Sequence, residues 1–414
     1  MKKLSLLKRF FSITNYDILH KQICILGIKI KIRRKNVVPK ILHKELPLDN
    51  NKIFVRCCFG TYSCNPKYIV EEILKQELPC KIVWMVDERY DKFYKDFPRD
   101  KIKIVKFGTK EAEIELATSK IIIDNERAFY YPDSNTIKKE GQIYIQTWHG
   151  SLGIKKVGAE ITRLLERQCF FHHLDSEQID YLISNSTFET DLYKRYFYGY
   201  GQILEIGHPR NDILFRNDTQ DLKEKVYNNF NLPLEKKLVI YAPTWRDDYN
   251  LKCFSIDFEK IKSALEKRFG GEYVFLNKMH PKYVKKNMDQ DSNPNIIYAT
   301  HYSDMQELLL VADVLVTDYS SCMFDFMLTN KPVFIYATDI NKYEKQRGLY
   351  YPLETTPFPI ARNNNEMVEN IKNFNTEIYL KKVEEFLKEK GCIENGHASE
   401  KVVDLIEKIM NAKG

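Results

Sequence analysis

A chain of 414 residues, 43% hydrophobic and 13% aromatic, exceeds what one ordinary core organises and is too apolar to be disordered. Its formal net charge of +7 is too dilute to mark a nucleic-acid binder, but it suits a protein that handles anionic substrates or rests on an acidic membrane surface. Nine cysteines without a CxxC pair or Cys/His metal spacing argue against a disulfide frame and a zinc site and for reduced thiols in the cytoplasm; no run of eighteen apolar residues is present, and no cleavable signal is expected.

In chain order, MKKLSLLKRFFS sets Leu4, Leu7, Phe10 and Phe11 near one helical face with Lys2, Lys3, Lys8 and Arg9 around it. That pattern fits a basic helix lying on a membrane, and equally a short helix packed on the body. QICILGIKIKIRRK then alternates from Ile23 to Ile32 with lysines on the opposite face, as in a strand or hairpin with one basic side. Residues 1–50 are therefore expected to form a basic leader and hairpin.

From residue 52 an α/β rhythm sets in. KIFVRCCFG, CKIVWMVD, KIKIVKFG, KIIIDNE, QIYIQTWHG and YLISNS are short apolar runs bounded by Gly, Asn or Asp, with helical text such as NPKYIVEEILKQE between them. KKLVIYAPTW, EYVFLNKMHP, PNIIYATHY, VADVLVTDYSS and KPVFIYATD form a second series, interleaved with DFEKIKSALEKRF and MQELLLVA. Such alternation predicts two Rossmann-like doubly wound domains, 51–230 and 231–414, with the polar segment LKEKVYNNFNLPLEKK near their boundary. A ligand belongs in the cleft between the carboxyl ends of the strands.

The chemistry-bearing residues cluster at those ends. TWHGSLGIKK delivers His149 and Gly150 from a strand to a glycine-flexed loop, where the imidazole is either a packed neighbour of Trp148 or a reacting group. In VLVTDYSSCMFDFML an apolar strand stops at Thr317-Asp318, and Ser320 and Ser321 open a helix that contains Asp325. Free N–H groups and two hydroxyls there suit a phosphate, though a serine is also an ordinary helix cap. KMHP brings Lys278, His280 and Pro281 to another strand end, YAPTWRDD brings Thr244 and Arg246 to a further one, and IGHPRNDI sets His208, Arg210 and Asn211 in a Pro-containing turn near the boundary. Cationic and imidazole donors of this kind suit a pyrophosphate. ITRLLERQCFFHH at 161–173 reads as an acceptor groove or an amphipathic core helix.

WHGSLGIKK, GHPRNDIL, YAPTWRD, KMHP, TDYSSCMFDF, KPVFIYATD and RGLYYP, in this order, resemble the CDP-glycerol glycerophosphotransferase family of wall teichoic acid and capsule synthesis, over roughly residues 52–380. The resemblance implies a glycosyltransferase-B fold and transfer of glycerol phosphate from CDP-glycerol to a hydroxyl of a polymer or lipid-linked glycan, releasing CMP at the cytoplasmic face of the inner membrane. It also implies His149 as general base, His280 beside the donor pyrophosphate as a second catalytic residue, and Asp318 to Ser321 holding the donor. The expected donor site is Gly150, Arg210, Thr244, Arg246, Lys278, His280, Pro281, Thr317, Asp318, Ser320, Ser321 and Asp325. Where family members usually carry Thr-Pro, this chain has Ser151-Leu152, a departure on the acceptor side.

With these cationic donors the charge arithmetic requires no metal and no cofactor beyond the donor; Asp247-Asp248, the nearest carboxylate pair, sits on a loop where such pairs are commonly solvated. Two other readings share the residues: a glycosyltransferase that uses a CMP- or UDP-sugar, or a transferase with CDP-ribitol, on the same scaffold; and a non-catalytic binder of anionic polymer. His149 separates the classes, because an enzyme needs it in the cleft.

Overall fold

The computed structural model describes residues 11–15, 20–25, 28–33, 40–93, 97–126, 130–131, 134–157, 172–246, 252–280 and 296–412. The leader helix expected over the first residues, most of the segment at 161–173, Asp247-Asp248 and Pro281 lie outside them.

Two parallel sheets carry the fold. The first has seven strands, in the order Gln202–Glu205, Tyr181–Ser184, Ile143–Gln146, Ser119–Asp124, Asp49–Arg56, Lys81–Val86 and Lys103–Lys106. Six strands make the second: Ile296–Tyr298, Tyr273–Asn277, Lys237–Ala242, Val314–Thr317, Val333–Tyr336 and Ile360–Ala361. In both, the first strand in sequence lies inside the sheet and the chain winds outward from it twice, in opposite directions. Each sheet therefore has a switch point, between Asp49–Arg56 and Ser119–Asp124 in the first and between Lys237–Ala242 and Val314–Thr317 in the second. Crevices open at the carboxyl ends of strands at such points.

The apolar runs form central strands because both of their faces are covered. Ile121, Ile122 and Ile123 are each fully buried, as are Leu315 and Val316. The helix Cys64–Lys75 covers one face of the first sheet with Ile69, Val70 and Ile73, each such side chain contributing about 1.5–3 kcal/mol of burial. Beyond the second sheet the chain returns: Val402, Val403 and Ile406 of the final helix, Ala398–Asn411, join the core of the first. The polar segment at the expected boundary overlaps the helix Gln220–Asn229, whose Leu222, Val226 and Tyr227 enter the core around the second sheet.

Two seams join the sheets. In one, Lys67 on the first-sheet helix makes 2.6 Å ion pairs with Asp304 and Glu307, and Lys225 reaches Glu307 at 2.9 Å. Burial alone would raise the pKa of Glu307, but Lys67, Tyr302 and Lys225 overrule it and hold the carboxyl below its usual range. In the other, residues 152–157 run against 348–351: Lys156 N–H donates to Gly348 O at 3.1 Å and Tyr350 N–H to Ile154 O at 2.7 Å. Tyr351 Oη donates to Leu152 O at 2.6 Å.

Near the N-terminus, His20–Ile25 and Ile28–Arg33 form the expected hairpin, extended by an antiparallel strand Phe11–Asn15. Ile28, Ile30 and Ile32 share an exposed face.

Candidate functional site

The loop that begins at Thr147 is clamped from all sides. Thr147 N–H donates to Asp124 O at 2.8 Å. Asn65, fully buried, donates through Nδ2 to the carbonyls of Thr147 and Trp148, both at 3.0 Å. Trp148 and Leu152 take left-handed backbone angles, φ 51° and 43°, a conformation that costs a large side chain about 1–3 kcal/mol and persists only where the surroundings impose it. Here Leu152 N–H is held at 3.0 Å by the buried carboxylate of Glu189. Arg210 donates to the carbonyl of His149 and, at 3.0 Å, to Ser151 Oγ.

This clamping fixes His149 at the first switch point. Its Nδ1 lies 2.5 Å from the carbonyl of Asn125, and its ring stacks on Trp148 with 4.5 Å between centroids. A carbonyl can only accept, so in the neutral ring Nδ1 carries the proton and Nε2 keeps its lone pair. Burial lowers the pKa of His149; the Asn125 carbonyl and Glu126 work against that, and Arg210 and Lys155 with it. The imidazole is thus biased toward its basic form. Nearby, burial pushes the Asp124 carboxyl up to about 7 against the pull of Arg56.

His149 and Gly150 line a cavity of about 530 Å³ with Lys155, Ser321, Arg347 and an aromatic wall that includes Trp148, Tyr193 and Tyr196. A smaller cavity of about 130 Å³ adjoins it at the second switch point, lined by Lys155, Thr244, Trp245, Arg246, His280, Tyr343, Gln346 and Arg347. His280 packs edge-on against Phe59, at 5.9 Å, from the loop after the first strand of the first sheet. Thr244 Oγ1 is buried and has no hydrogen-bond partner among the described residues. Ser321 stands at the start of the short helix Cys322–Phe326 without capping it through its side chain.

Of the expected site residues, the base His149 and the donor residues Gly150, Thr244, Arg246, His280 and Ser321 border these cavities. Others border neither, because neighbours occupy their polar atoms. Arg210 is paired with Asp325 at 3.0 Å behind the loop. Lys278 donates to the carbonyls of Thr300 and Tyr302, at 2.9 and 2.6 Å, and burial brings its pKa down to about 7. Thr317 Oγ1 donates to Ala242 O at 2.7 Å. Asp318 accepts from Thr244 N–H at 2.7 Å and from Arg246 at 2.8 Å. Ser320 Oγ accepts weakly from Cys322 N–H at 3.5 Å. Even Arg246, which touches the smaller cavity, is held between Asp318 and Asp339.

Lys155, Arg347, Asn65 and Asn125 join the site without a motif role. Lys155 and Arg347 stand inside the blocks GSLGIKK and RGLYYP, where their charge is the available signal. The roles of the two asparagines are backbone clamping, which no motif displays. Among the described residues no group of three or more His, Cys, Asp or Glu side chains is placed to hold a metal ion, and no helix is long and apolar enough to cross a membrane.

Two doubly wound parallel sheets with a basic histidine and a cation-lined cavity at their switch points define an α/β protein suited to a nucleotide-bound phosphate. The chain belongs to the CDP-glycerol:poly(glycerophosphate) glycerophosphotransferase family, whose profile matches residues 40–408. It is 34% identical over 403 residues to the teichoic acid poly(glycerol phosphate) polymerase of Staphylococcus epidermidis, covering 92% of this chain and 54% of the relative, so it spans about half of that polymerase's length. It is 31% identical to the teichoic acid glycerol-phosphate transferase of Staphylococcus aureus, over 89% of this chain and 95% of the relative. The solved structure of the wall teichoic acid polymerase TagF is similar, with a TM-score of 0.75 and 32% identity, over 88% of this chain and 90% of that one.

Proposed function

We propose that the chain transfers glycerol phosphate from CDP-glycerol to a hydroxyl of a cell-surface polymer or lipid-linked glycan of teichoic acid or capsule type. The observation that carries this reading is the fixing of His149 Nδ1 by the Asn125 carbonyl at the edge of the larger cavity. In the reaction, Nε2 of His149 takes the proton of the acceptor hydroxyl as its oxygen bonds to the glycerol-bearing phosphorus. The bond from that phosphorus to the bridging oxygen breaks, and CMP leaves with the electron pair. His280, Thr244 and Ser321 serve the donor side, the unpartnered hydroxyl of Thr244 being free to donate to it.

On this reading the sheets belong to two Rossmann-like domains of glycosyltransferase-B type, 51–230 for the acceptor and 231–414 for the nucleotide, facing each other across the cavities. Residues 1–50 form a basic leader, with the protein peripheral on the cytoplasmic face of the cell membrane. Fixed cations meet the charge of the transferred group, so no metal or further cofactor is needed.

The test is a donor panel of CDP-glycerol, CDP-ribitol, a CMP-sugar and UDP-sugars with a phosphopolyol acceptor, with and without chelator. CMP release from CDP-glycerol before any other donor, undiminished by chelation, is the expected result. Consumption of a sugar nucleotide with CDP-glycerol left intact would overturn the reading.

A further inference from the structure

We propose that Lys155 and Arg347 form a single anion-binding bridge between the two sheets, built to hold the phosphate that passes from donor to acceptor. The proposal rests on the transferase reading above for the identity of the anion, and on geometry for the site. Among the described residues, these are the two side chains that line both cavities. One is supplied by the loop after His149, the other by the end of the helix Ile340–Arg347 of the second half.

Their partners, or lack of them, set them apart from the other cations nearby. Arg246 is held by Asp318 and Asp339, Arg210 by Asp325, Arg56 by Asp124 and Glu126, and Arg89 by Asp87. No carboxylate among the described residues pairs with Lys155 or Arg347, and Arg347 Nε is buried without a hydrogen-bond partner. Two like charges in one cleft with no carboxylate in direct contact are unfavourable, and an anion that joined them would relieve that cost. Burial first, then the charge of Arg347, bring the pKa of Lys155 down to about 8, against the pull of Asp318.

The backbone holds the two together against that repulsion. Lys155 pairs with Leu349 in an antiparallel bridge, flanked by the bonds from Lys156 N–H to Gly348 O and from Tyr350 N–H to Ile154 O, at 3.1 and 2.7 Å. Gly348 follows Arg347 directly with φ 78°, a left-handed conformation that favours glycine. A guanidinium offers a planar fork and an ammonium a compact point charge; together they match a tetrahedral oxyanion such as a phosphodiester or pyrophosphate. Because each half supplies one cation, the anion also ties the donor side to the loop of the base.

Calorimetry on the full chain with inorganic pyrophosphate tests the site apart from the reaction. Lys155→Gln and Arg347→Gln should each weaken pyrophosphate binding about tenfold or more, the loss expected for a charge-assisted hydrogen bond. Lys156→Gln, at a neighbouring lysine that lines neither cavity, should leave it unchanged, and Lys155→Arg should recover most of it. If a glutamine variant does not fold, Arg347→Lys carries the test, since it keeps the charge, loses the fork and should still bind more weakly. Unchanged affinity in the folded Lys155 and Arg347 variants, or an equal loss in Lys156→Gln, would overturn the bridge. Should the wild type bind pyrophosphate through this pair yet release no CMP from CDP-glycerol, the bridge stands and the transferase reading falls.

Discussion

The two switch points solve the same problem with opposite means. At the first, the fold bends a backbone: Asn65, Arg210 and Glu189 grip the carbonyls and N–H groups of the loop from Thr147 to Leu152 and hold the imidazole at the edge of the cavity. At the second, side chains hold one another. Arg246 sits between Asp318 and Asp339 and lies over the rings of Tyr319 and Tyr343, which stack at 3.9 Å. The first arrangement makes a mobile kind of chemistry available at one atom; the second makes a rigid shelf. A residue's charge is therefore a poor guide to its use here, and what decides is whether the fold has already given it a partner.

The shelf should be the more costly to break. Arg246→Met leaves the buried carboxylate of Asp318 and the half-buried one of Asp339 without their cation, and a buried pair broken on one side typically costs about 3–5 kcal/mol. Urea unfolding monitored by circular dichroism measures it. A loss below about 1 kcal/mol would mean that the arginine is not part of the shelf and is available to a ligand, which would erase the contrast between the two sites.

Removing the base should act on rate instead. His149→Ala should lower turnover by a factor of about 10² or more while donor affinity stays nearly intact, because a general base contributes that much without holding the nucleotide. CMP release and donor titration together decide. A parallel loss of donor affinity would move His149 from base to binding group.

The contrast also explains what the sequence could and could not reveal. The strands that line the switch points were legible because central parallel strands are continuous apolar runs, as in Ile121 to Ile123. Gln202–Glu205 and Ile360–Ala361 were not: both are edge strands, one half-exposed and the other two residues long. The helix Gln220–Asn229 passed for a polar connection because only three of its residues are buried. At the site, the motifs located the strand ends, where topology concentrates ligands. They could not tell Arg210 and Arg246, with carboxylate partners 115 and 93 residues away, from Lys155 and Arg347, which have none among the described residues. Pairing across such distances leaves no periodicity to read.

Loosening the clamp should have a smaller effect than losing the base. Asn65→Ala removes the donor to two loop carbonyls and the acceptor for Arg210 N–H at 3.0 Å. Orphaning buried groups of this kind costs about 1–3 kcal/mol of stability. Turnover should fall about tenfold as the imidazole loses its aim, with donor KM unchanged. Steady-state kinetics at a temperature where the variant remains folded tests this, and wild-type turnover would show that the loop holds its shape without Asn65.

The mildest change concerns the pH at which the base comes into play. Protonated His149 cannot accept the hydroxyl proton, so kcat/KM should rise with pH as the free enzyme's imidazole loses its proton. Because burial depresses the pKa of His149 from its ordinary 6.5, the protonated form is disfavoured and the rising limb should lie below that value. Glu126 lines the same cavity, and its charge opposes the depression. Glu126→Gln removes a group that favours imidazolium, so the limb should move further toward acid while turnover on the plateau changes little. A limb that stays in place in this variant would show that the group titrating in kcat/KM does not feel the charge of Glu126, and would point away from His149.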